Sequence, residues 1–507
     1  MDYIFALLPI MVLILLMIVF RWGSQQAGPM AWLVCLVIAA AFFGLNWDVW
    51  LVSQLKGLVL TIYVLLVIWP ALFLYMVINE MGGMTALVLS LESIFAQREL
   101  LWLVLAWTFS GMVEALTGFG LPVAIVAPML LGIGVEPVLA VAAVAVGHAW
   151  AVAFGSMGLG LQTLGAVTQM DPAVLAPVSA LLLAVGALGC GLAVMLLLKQ
   201  GRRWRMVLTL SLAMGLVYYG LTLIGLISLA AFSAGLTGTL GAYLWQRLFV
   251  KKTAPVVENK TDPKALRGAM AGYGFLIALM LITGLVAPLR DLFSSMVVAP
   301  VFPRVVSWTG LVTPAGPVLT VRPLLYSGSM LALACLFSYF LFRCWKLLPQ
   351  GAWRSTAIKT WQAAAPTSLG ILAMVGLSTM MDHCGMTQLL ARGITQLTGP
   401  IFPLVSPLVG MLGTFTTGSN NNSNVLLAPL QKIVALLLKM DPRLLVSSQT
   451  AGGSLGSMTA PAKIIVGCGT VGIIGRDGEV LKRTLPYGLA VGLGVGLLTL
   501  LLVAVHF

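Results

Sequence analysis

The chain has 507 residues, of which 60% are hydrophobic and only 8% are charged, with a net charge of +13 and a mean hydropathy of +1.05. Soluble domains carry roughly 25% charged residues, so this composition excludes a soluble globular protein. Apolar runs of about 20 residues, long enough to cross a membrane as helices, recur along the chain, whereas a β-barrel would show short alternating segments. The sequence therefore predicts an all-α polytopic membrane protein in a lipid bilayer.

Most lysines and arginines lie in short loops between the apolar runs. This distribution is the positive-inside pattern of membrane proteins, so phospholipid head groups rather than nucleic acid account for the positive charge. The six cysteines form no C-x-x-C pair and lie mostly within apolar runs, where free buried thiols are usual. We therefore expect no disulfide framework, no metal site and no cofactor.

The first predicted element is a transmembrane helix within residues 1–23. Asp2 precedes its apolar run and Arg21 follows it, so the segment is not a cleaved signal and its N-terminus is predicted to lie outside. Residues 30–200 form the first of two large units. A basic cluster marks the cytoplasmic side at the end of this unit: Lys199, Arg202, Arg203 and Arg205.

The rest of the chain is predicted to form two further units. Residues 206–322 are connecting helices and loops, and they end in an external segment rich in proline and aromatic residues, from Arg290 to Arg322. Residues 324–507 form the second large unit, whose C-terminus lies outside. At about 20 residues per span, we expect roughly 12–14 transmembrane helices. Oligomer formation is left open by the sequence.

The two large units contain a weak internal repeat. Inverted repeats with interrupted or re-entrant helices are typical of secondary transporters, with the substrate site at the repeat interface, and the basic loops give the two copies opposite orientations. Three short motifs recur at a nearly constant offset: Thr117-Gly118 and Thr417-Gly418 (417 − 117 = 300), Ala127-Pro128 and Ala428-Pro429 (428 − 127 = 301), and Gly155-Ser156-Met157 and Gly456-Ser457-Met458 (456 − 155 = 301).

Each copy has a polar or glycine-rich turn inside an apolar region. Irregular backbone is tolerated at membrane depth only where protein buries it or where it lines a wet cavity. A helix that begins after such a turn points its free N–H groups into it, which favours an anion; the alternative is that glycine and proline are simply frequent in transmembrane helices. We predict that the turns bind substrate through Thr117, Gly118, Phe119 and Gly120 in the first copy and Thr417, Gly418, Ser419, Asn420, Asn421, Ser423 and Asn424 in the second.

Glu114 and His148 are the candidate proton-coupling residues. Glu114 is a carboxylate within an apolar run, a costly position that is functional by default, and burial disfavours its charged form, which suits reversible protonation. Alternatively, it lies at a loop edge or pairs with a basic side chain. His148 can carry a proton or contact substrate, and a hydrogen-bonded core histidine is the competing interpretation.

Three further polar residues are candidates for substrate contact. Gln449 lies 301 positions after His148 (449 − 148 = 301) and is polar within a helix of small residues, so we predict that it and Ser457 bind substrate. Lys463 follows Pro461 in a glycine-rich region. Its ammonium group either attracts an anion or extends to the cytoplasmic interface.

At these motifs the chain resembles the L-lactate permease family. The resemblance implies uptake of lactate, and often glycolate, by proton symport across a bacterial inner membrane, and kinship with ion-transporter-type folds that use re-entrant hairpins. The chain departs from the family pattern at Asn420, Asn421 and Asn422, where an acidic residue is frequent, and at Ala460-Pro461-Ala462, where Ser-Pro-Gln is frequent. The resembling segments are Glu114 through Ile125, His148 through Gly158, Thr416 through Gln431, and Gly452 through Gly478.

The leading hypothesis is a secondary active transporter that imports a small 2-hydroxy monocarboxylate together with protons. Transport of another organic anion is one alternative, and sodium coupling through the Asn- and Ser-rich turn is another. A proton-conducting subunit of a membrane complex is a different class, which should show charged residues at several mid-helix positions. The chain has no P-loop, G-x-S-x-G or H-E-x-x-H motif, which argues against an ATP-driven pump and against an enzyme.

Overall fold

The structure, a computed structural model, describes residues 2–20, 22–118, 120–249, 261–349 and 351–505. Within these residues it is built mainly from helices, and twelve helices are long and apolar enough to cross a membrane. The prediction of an all-α polytopic membrane protein is therefore confirmed.

The described part of residues 2–200 contains ten α-helices. A π-helical stretch, Val104–Phe109, joins the fifth helix to the sixth, and a 3-10 helix, Ala149–Phe154, precedes the ninth. The α-helices are α1 (Asp2–Ile18), α2 (Ser24–Phe42), α3 (Trp47–Glu80), α4 (Gly83–Glu92), α5 (Arg98–Leu103), α6 (Ser110–Thr117), α7 (Leu121–Gly132), α8 (Pro137–Gly147), α9 (Gly155–Thr168) and α10 (Pro172–Leu197).

Twelve more α-helices follow in the described part of the remaining chain. Three short 3-10 helices lie between them: Gly201–Arg203, Gly399–Ile401 and Ser457–Thr459. The α-helices are α11 (Trp204–Leu223), α12 (Ile227–Phe249), α13 (Pro263–Leu285), α14 (Ala287–Ser294), α15 (Ser327–Cys344), α16 (Ala352–His383), α17 (Met386–Thr398), α18 (Phe402–Thr417), α19 (Asn420–Leu437), α20 (Pro442–Gly456), α21 (Pro461–Thr470) and α22 (Asp477–Ala504).

An acidic residue followed by proline begins four of these helices. The acid is the N-cap, and its carboxylate accepts a backbone N–H of the first turn, while proline suits the first helical position because it has no N–H to satisfy. The local sequence therefore predicts where these four helices begin. The capping residues are Glu136 of α8, Asp171 of α10, Asp262 of α13 and Asp441 of α20.

The predicted external segment forms a small nested hairpin at one end of the helix bundle. Strand β1 (Val301–Phe302) pairs antiparallel with β4 (Gly316–Pro317), and β2 (Val305–Val306) pairs antiparallel with β3 (Val312–Thr313). The hairpin is attached to the turn between α2 and α3. Trp308 N donates to Gly44 O at 2.8 Å, and Asn46 Nδ2 donates to Val306 O at 2.8 Å.

The same succession of elements occurs in both large units. A helix ending at Thr117 or Thr417 turns back through a glycine with positive φ, Gly118 or Gly418, and a second helix then begins. A capped helix follows, then a 3-10 stretch, and then a further helix. The division into units 30–200, 206–322 and 324–507 stays a prediction, as does their opposite orientation across the membrane.

The alignment of the two copies shifts after the turns. The capped helices begin at Pro137 and Pro442, an offset of 442 − 137 = 305, because α19 has 18 residues and α7 has 12. Counted from these helix starts, the residue that pairs with His148 is Gly453 rather than Gln449.

Helices α18 and α20 pack with their backbones in contact. Gly410 of α18 lies against the carbonyl group of Gln449, and Gly452 of α20 lies against the carbonyl group of Pro407. Small residues permit this kind of close approach between membrane helices. Since α18 leads into the turn at Gly418, the contact fixes the position of that turn against α20.

We expect Gly452→Ala to lower the midpoint of thermal unfolding of the purified protein, because its Cβ would meet the backbone of Pro407 and overpacking costs about 1–3 kcal/mol. The matched control is Gly494→Ala in α22, where nothing lies within 4 Å of the added Cβ. Alanine favours a helix over glycine by about 1 kcal/mol, so this variant should keep or raise the midpoint. Equal midpoints for the two variants would contradict the contact.

Candidate functional site

A cavity of about 190 Å³ lies between the two turns. The first unit contributes Glu114 and Gly118 to its wall, with Ser156 from the start of α9. The second unit contributes the turn from Thr417 to Asn422 and, at the start of α21, Lys463. Residues separated by some 300 positions in the chain therefore line one space.

Two helix N-termini open into this cavity. Ser419 is the N-cap of α19, and its hydroxyl accepts the N–H of Asn422 at 3.4 Å. Ala460 is the N-cap of α21, whose first-turn residues Ala462 and Lys463 line the cavity. Free N–H groups and the positive end of the helix dipole make such termini favourable positions for an anion.

Glu114 is a buried carboxylate that also lines the cavity. Its side chain is 1% exposed, and its Oε2 accepts the backbone N–H of Gly120 at 3.2 Å. Gly120 has a φ of +72°, a left-handed conformation that favours glycine. The turn thus closes over the carboxylate and supplies it with a backbone donor.

Lys463 is held by a chain of hydrogen bonds that ends at His148. Lys463 Nζ donates to Ser457 Oγ at 2.5 Å, and Ser457 Oγ lies 3.3 Å from His148 Nε2. His148 Nδ1 lies 2.8 Å from Val144 O. Because a carbonyl oxygen only accepts, Nδ1 carries a proton, and in the neutral ring Nε2 accepts from the serine.

The ammonium of Lys463 and the carboxylate of Glu114 share the cavity without direct contact. Among the described residues, no ion pair within 4 Å joins them. The aliphatic part of Lys463 packs on Gly120, where a Cβ would lie 2.6 Å from Cδ of the lysine. The two opposite charges therefore lie on the wall of one cavity without a direct ion pair between them.

Behind the second turn, polar side chains form hydrogen bonds with one another and do not line the cavity. Gln449 Nε2 donates to Ser423 Oγ at 3.0 Å, and Gln431 Nε2 donates to Gln449 Oε1 at 2.5 Å. Asn424 Nδ2 donates to Thr450 Oγ1 at 2.9 Å. Hydrogen bonds between membrane helices contribute about 0.6 kcal/mol each, so this network stabilises the packing of α19 on α20.

The candidate residues from the sequence thus fall into three groups. Phe119 lies outside the described residues. Thr117, Gly120, His148, Ser423, Asn424, Gln449 and Ser457 lie next to the cavity or behind its wall. The residues that line it are Glu114, Gly118, Thr417, Gly418, Ser419, Asn420, Asn421 and Lys463. Their roles in binding and proton coupling stay predictions.

Sequence reasoning missed Asn422 and Ser156, which also line the cavity. Asn422 Oδ1 is buried and has no hydrogen-bond donor among the described residues. Ser156, Met157 and Gly158 all have positive φ, and such strained backbone is common at functional sites. The signal for Ser156 was present, since Gly155-Ser156-Met157 is one of the repeated motifs.

The chain is similar over almost its whole length to a known protein family. The family model described as L-lactate permease matches residues 2–506. The chain belongs to the L-lactate permease family.

Relatives within this family share about a quarter of their residues with the chain. An L-lactate permease of Streptococcus iniae is 28% identical over 87% of this chain and 92% of the relative, and one of Bacillus subtilis is 26% identical over 98% and 95%. A glycolate permease of Escherichia coli is 26% identical over 98% of this chain and 94% of the relative.

A solved structure supports the fold of this L-lactate permease family member. The chain is similar to MtrF of Neisseria gonorrhoeae, from a class described as antimetabolite efflux pumps, with a TM-score of 0.51 over 95% of both chains. At 14% sequence identity, the similarity concerns the fold alone. The two chains therefore share an overall helical fold.

We expect Ser457→Ala to lower the midpoint of thermal unfolding in detergent. The change removes the oxygen that joins the Lys463 ammonium to the His148 ring, and a buried polar group left without its partner costs about 1–3 kcal/mol. Ser93→Ala is the control, because Ser93 is exposed and bonds only to the nearby carbonyl of Ser90. A Ser457→Ala protein as stable as the control would show that this chain of bonds does not hold the lysine.

Proposed function

We propose that the protein is a secondary active transporter that imports a small 2-hydroxy monocarboxylate, lactate or glycolate, together with protons. The observation that carries the proposal is the cavity itself, which two helix N-termini, Lys463 and the buried Glu114 line together. The names of the relatives support the substrate class, because lactate and glycolate are both 2-hydroxy monocarboxylates.

The substrate carboxylate would lie against the starts of α19 and α21. In the first turns, Asn422 N donates to Ser419 Oγ, Lys463 N donates to Ala460 O, and Pro461 has no N–H. The remaining first-turn N–H groups and the Lys463 ammonium are the donors for the oxygens of a carboxylate. The 2-hydroxyl group needs an acceptor in addition. Asn422 Oδ1 is buried at the cavity and lacks a donor among the described residues, so we assign it to that hydroxyl group.

Charge balance favours one proton for each substrate anion. With the carboxylate of Glu114 and the ammonium of Lys463 both charged, the empty cavity is neutral, and a bound monocarboxylate would give it a net negative charge. An unbalanced charge in a poorly solvated site costs several kcal/mol. Protonation of Glu114 restores neutrality, so substrate and proton bind together more favourably than either binds alone.

His148 has a positioning role in this scheme. Its neutral ring accepts a hydrogen bond from the Ser457 hydroxyl group. The same hydroxyl oxygen accepts a hydrogen bond from the Lys463 ammonium. The sequence predicts that His148 takes part in proton coupling. In this scheme it does so indirectly, by holding Lys463 in place. Glu114 is the group that gains and loses the proton.

The other classes have less support. A proton-conducting subunit would need a row of buried ionisable groups, whereas Glu114 and Lys463 line one cavity without direct contact. Another organic anion is the alternative within transport, and the small volume of about 190 Å³ favours a short acid. The family resemblance also suggests the bacterial inner membrane. The positive-inside pattern of the basic loops suggests that both chain termini lie outside.

Glu114→Gln should separate exchange from proton-driven accumulation. Glutamine keeps an oxygen for the Gly120 N–H but neither gains nor loses a proton, so the cavity stays in its substrate-binding charge state. In proteoliposomes, we expect counterflow of labelled lactate to persist. Accumulation driven by an inward proton gradient should fall at least about tenfold, which corresponds to a loss of about 1.4 kcal/mol of driving force.

The control is Glu99→Gln, a change at an exposed carboxylate near the start of α5, which should transport like the parent. Proton-driven accumulation by Glu114→Gln at the parental level would exclude Glu114 as the coupling group. Absence of saturable uptake of any 2-hydroxy acid by the parent would overturn the proposed function as a whole.

Asn422→Leu should weaken recognition of the 2-hydroxyl group. The parent is expected to prefer lactate over propionate, which lacks that hydroxyl, in competition against labelled lactate. Loss of one hydrogen bond of about 0.5–1.5 kcal/mol should reduce this preference by roughly 2- to 12-fold. An unchanged preference would show that another group recognises the hydroxyl.

A further inference from the structure

A second cavity, of about 510 Å³, lies at one end of the helix bundle. It is formed where α10 ends at Leu197, α11 begins at Trp204 and α12 ends at Phe249. All three helices are long and apolar enough to cross a membrane, and the ends of such helices lie near the lipid head groups. The second cavity is therefore at the membrane surface, and it shares no lining residue with the anion cavity.

Four basic side chains and one acidic side chain line the second cavity, which gives it a net charge of +3 (4 − 1 = 3). The acid is Glu99, and the bases are Lys199, Arg202, Arg203 and Arg205. Among the described residues, no ion pair within 4 Å neutralises any of these four bases. The start of α11 adds the positive end of a helix dipole. The second cavity therefore attracts an anion.

The wall of the second cavity is held in place by hydrogen bonds to the start of α5. Gln200 Nε2 donates to Glu99 O at 2.6 Å, and Arg203 Nη2 donates to Gln97 Oε1 at 2.8 Å. These bonds join the connection between α10 and α11 to the first residues of α5. The cavity is thus formed before a ligand enters, which reduces the entropy that binding costs.

Two of the arginines have guanidinium groups that are available to a ligand. Arg202 and Arg205 are both exposed. The guanidinium carbon of Arg205 lies 5.4 Å from the centre of the Trp204 ring, a stacked arrangement that leaves the N–H groups at its edge free. The planar donor fork of arginine matches two oxygens of a phosphate group. The two side chains are therefore suited to bind a phosphate.

Apolar surface adjoins this basic cavity. The rings of Trp245 and Phe249 form part of its wall. One turn beyond the start of α11, Leu208, Leu212 and Leu216 are exposed, and their spacing of four residues places them on one face of the helix. A ligand with a phosphate group and a long apolar chain fits both surfaces, whereas a soluble phosphate uses only the first.

We propose that the second cavity binds one anionic phospholipid, with its phosphodiester group against Arg202 and Arg205 and an acyl chain along the exposed leucines of α11. Basic pockets between membrane helices are a known way to bind such head groups. A zwitterionic lipid fits less well, because its ammonium group would enter a cavity of net positive charge. The positive-inside pattern requires only basic loops; the cavity and the adjoining apolar face indicate a bound lipid.

The test uses the purified full-length protein, freed of lipid in a neutral detergent and without substrate. Its thermal unfolding is measured with phosphatidylglycerol, with phosphatidylcholine or with inorganic phosphate. A ligand that binds the folded state raises stability by RT ln(1 + [L]/Kd), so phosphatidylglycerol should raise the unfolding midpoint more than either of the other two. Native mass spectrometry should show one phosphatidylglycerol retained by each chain.

Arg202→Gln combined with Arg205→Gln should weaken the apparent affinity for phosphatidylglycerol roughly 30-fold, the effect expected of two basic residues near anionic lipid. Because both side chains are exposed, the midpoint without lipid should match that of the parent. The matched control is Arg343→Gln combined with Arg354→Gln. These two arginines are also exposed, lie near the end of α15 and the start of α16, and do not line the second cavity, so the control should keep the parental lipid shift.

Three results would overturn the proposal. Equal shifts with phosphatidylglycerol and phosphatidylcholine would exclude selection of an anionic lipid. A phosphate shift as large as that of phosphatidylglycerol would identify a soluble phosphate as the ligand. A full lipid shift in the Arg202→Gln and Arg205→Gln protein would place the lipid elsewhere. Since no substrate is present, failure here is distinguishable from failure of the transport proposal.

Discussion

Backbone amides and carbonyls buried in a membrane need partners inside the protein, and the rest of this structure depends on how that constraint is met at two broken helices. Where α6 ends, Ser156 Oγ donates to Thr117 O at 3.1 Å. Where α18 ends, Thr417 Oγ1 donates to Gly413 O at 2.7 Å. Side chains thus satisfy a freed carbonyl group at each break, and the starts of α19 and α21 line a cavity. In the proposed function, the same breaks in the helices supply donors for an anion.

The two charged side chains of the cavity are also held by hydrogen bonds inside the protein. Glu114 receives one backbone N–H, and Lys463 is attached through Ser457 to His148. Neither charged group satisfies the other directly, which leaves both able to respond to a third charge. In the proposed mechanism, a substrate anion therefore has no ion pair between these two groups to break before it binds.

Much of the fold can be predicted from the sequence, because its causes are local. Long apolar runs predict the membrane helices, acidic residues before proline predict four helix starts, and a polar stretch in an apolar region predicts the second turn. The site is harder to predict from the sequence, because contacts between distant segments of the chain form it. The sequence predicts that Ser423 and Gln449 bind substrate, but it does not indicate that their side chains hydrogen-bond each other. The difference in length between α7 and α19 also changes the pairing of His148. No local pattern indicates that Lys463 reaches Ser457 and Gly120 rather than the membrane interface.

The cavity has one acidic and one basic side chain, and they come from different halves of the chain. Its acidic member, Glu114, comes from one half of the chain, and its basic member, Lys463, comes from the other. In the predicted repeat, the matching positions hold Thr414 (414 − 114 = 300) and Gly158 (463 − 158 = 305). The two copies of the predicted repeat therefore differ at the positions that carry charge. Neither half is now a smaller version of the whole, and a symmetric pair of either half would have two acids or two bases where the present protein has one of each.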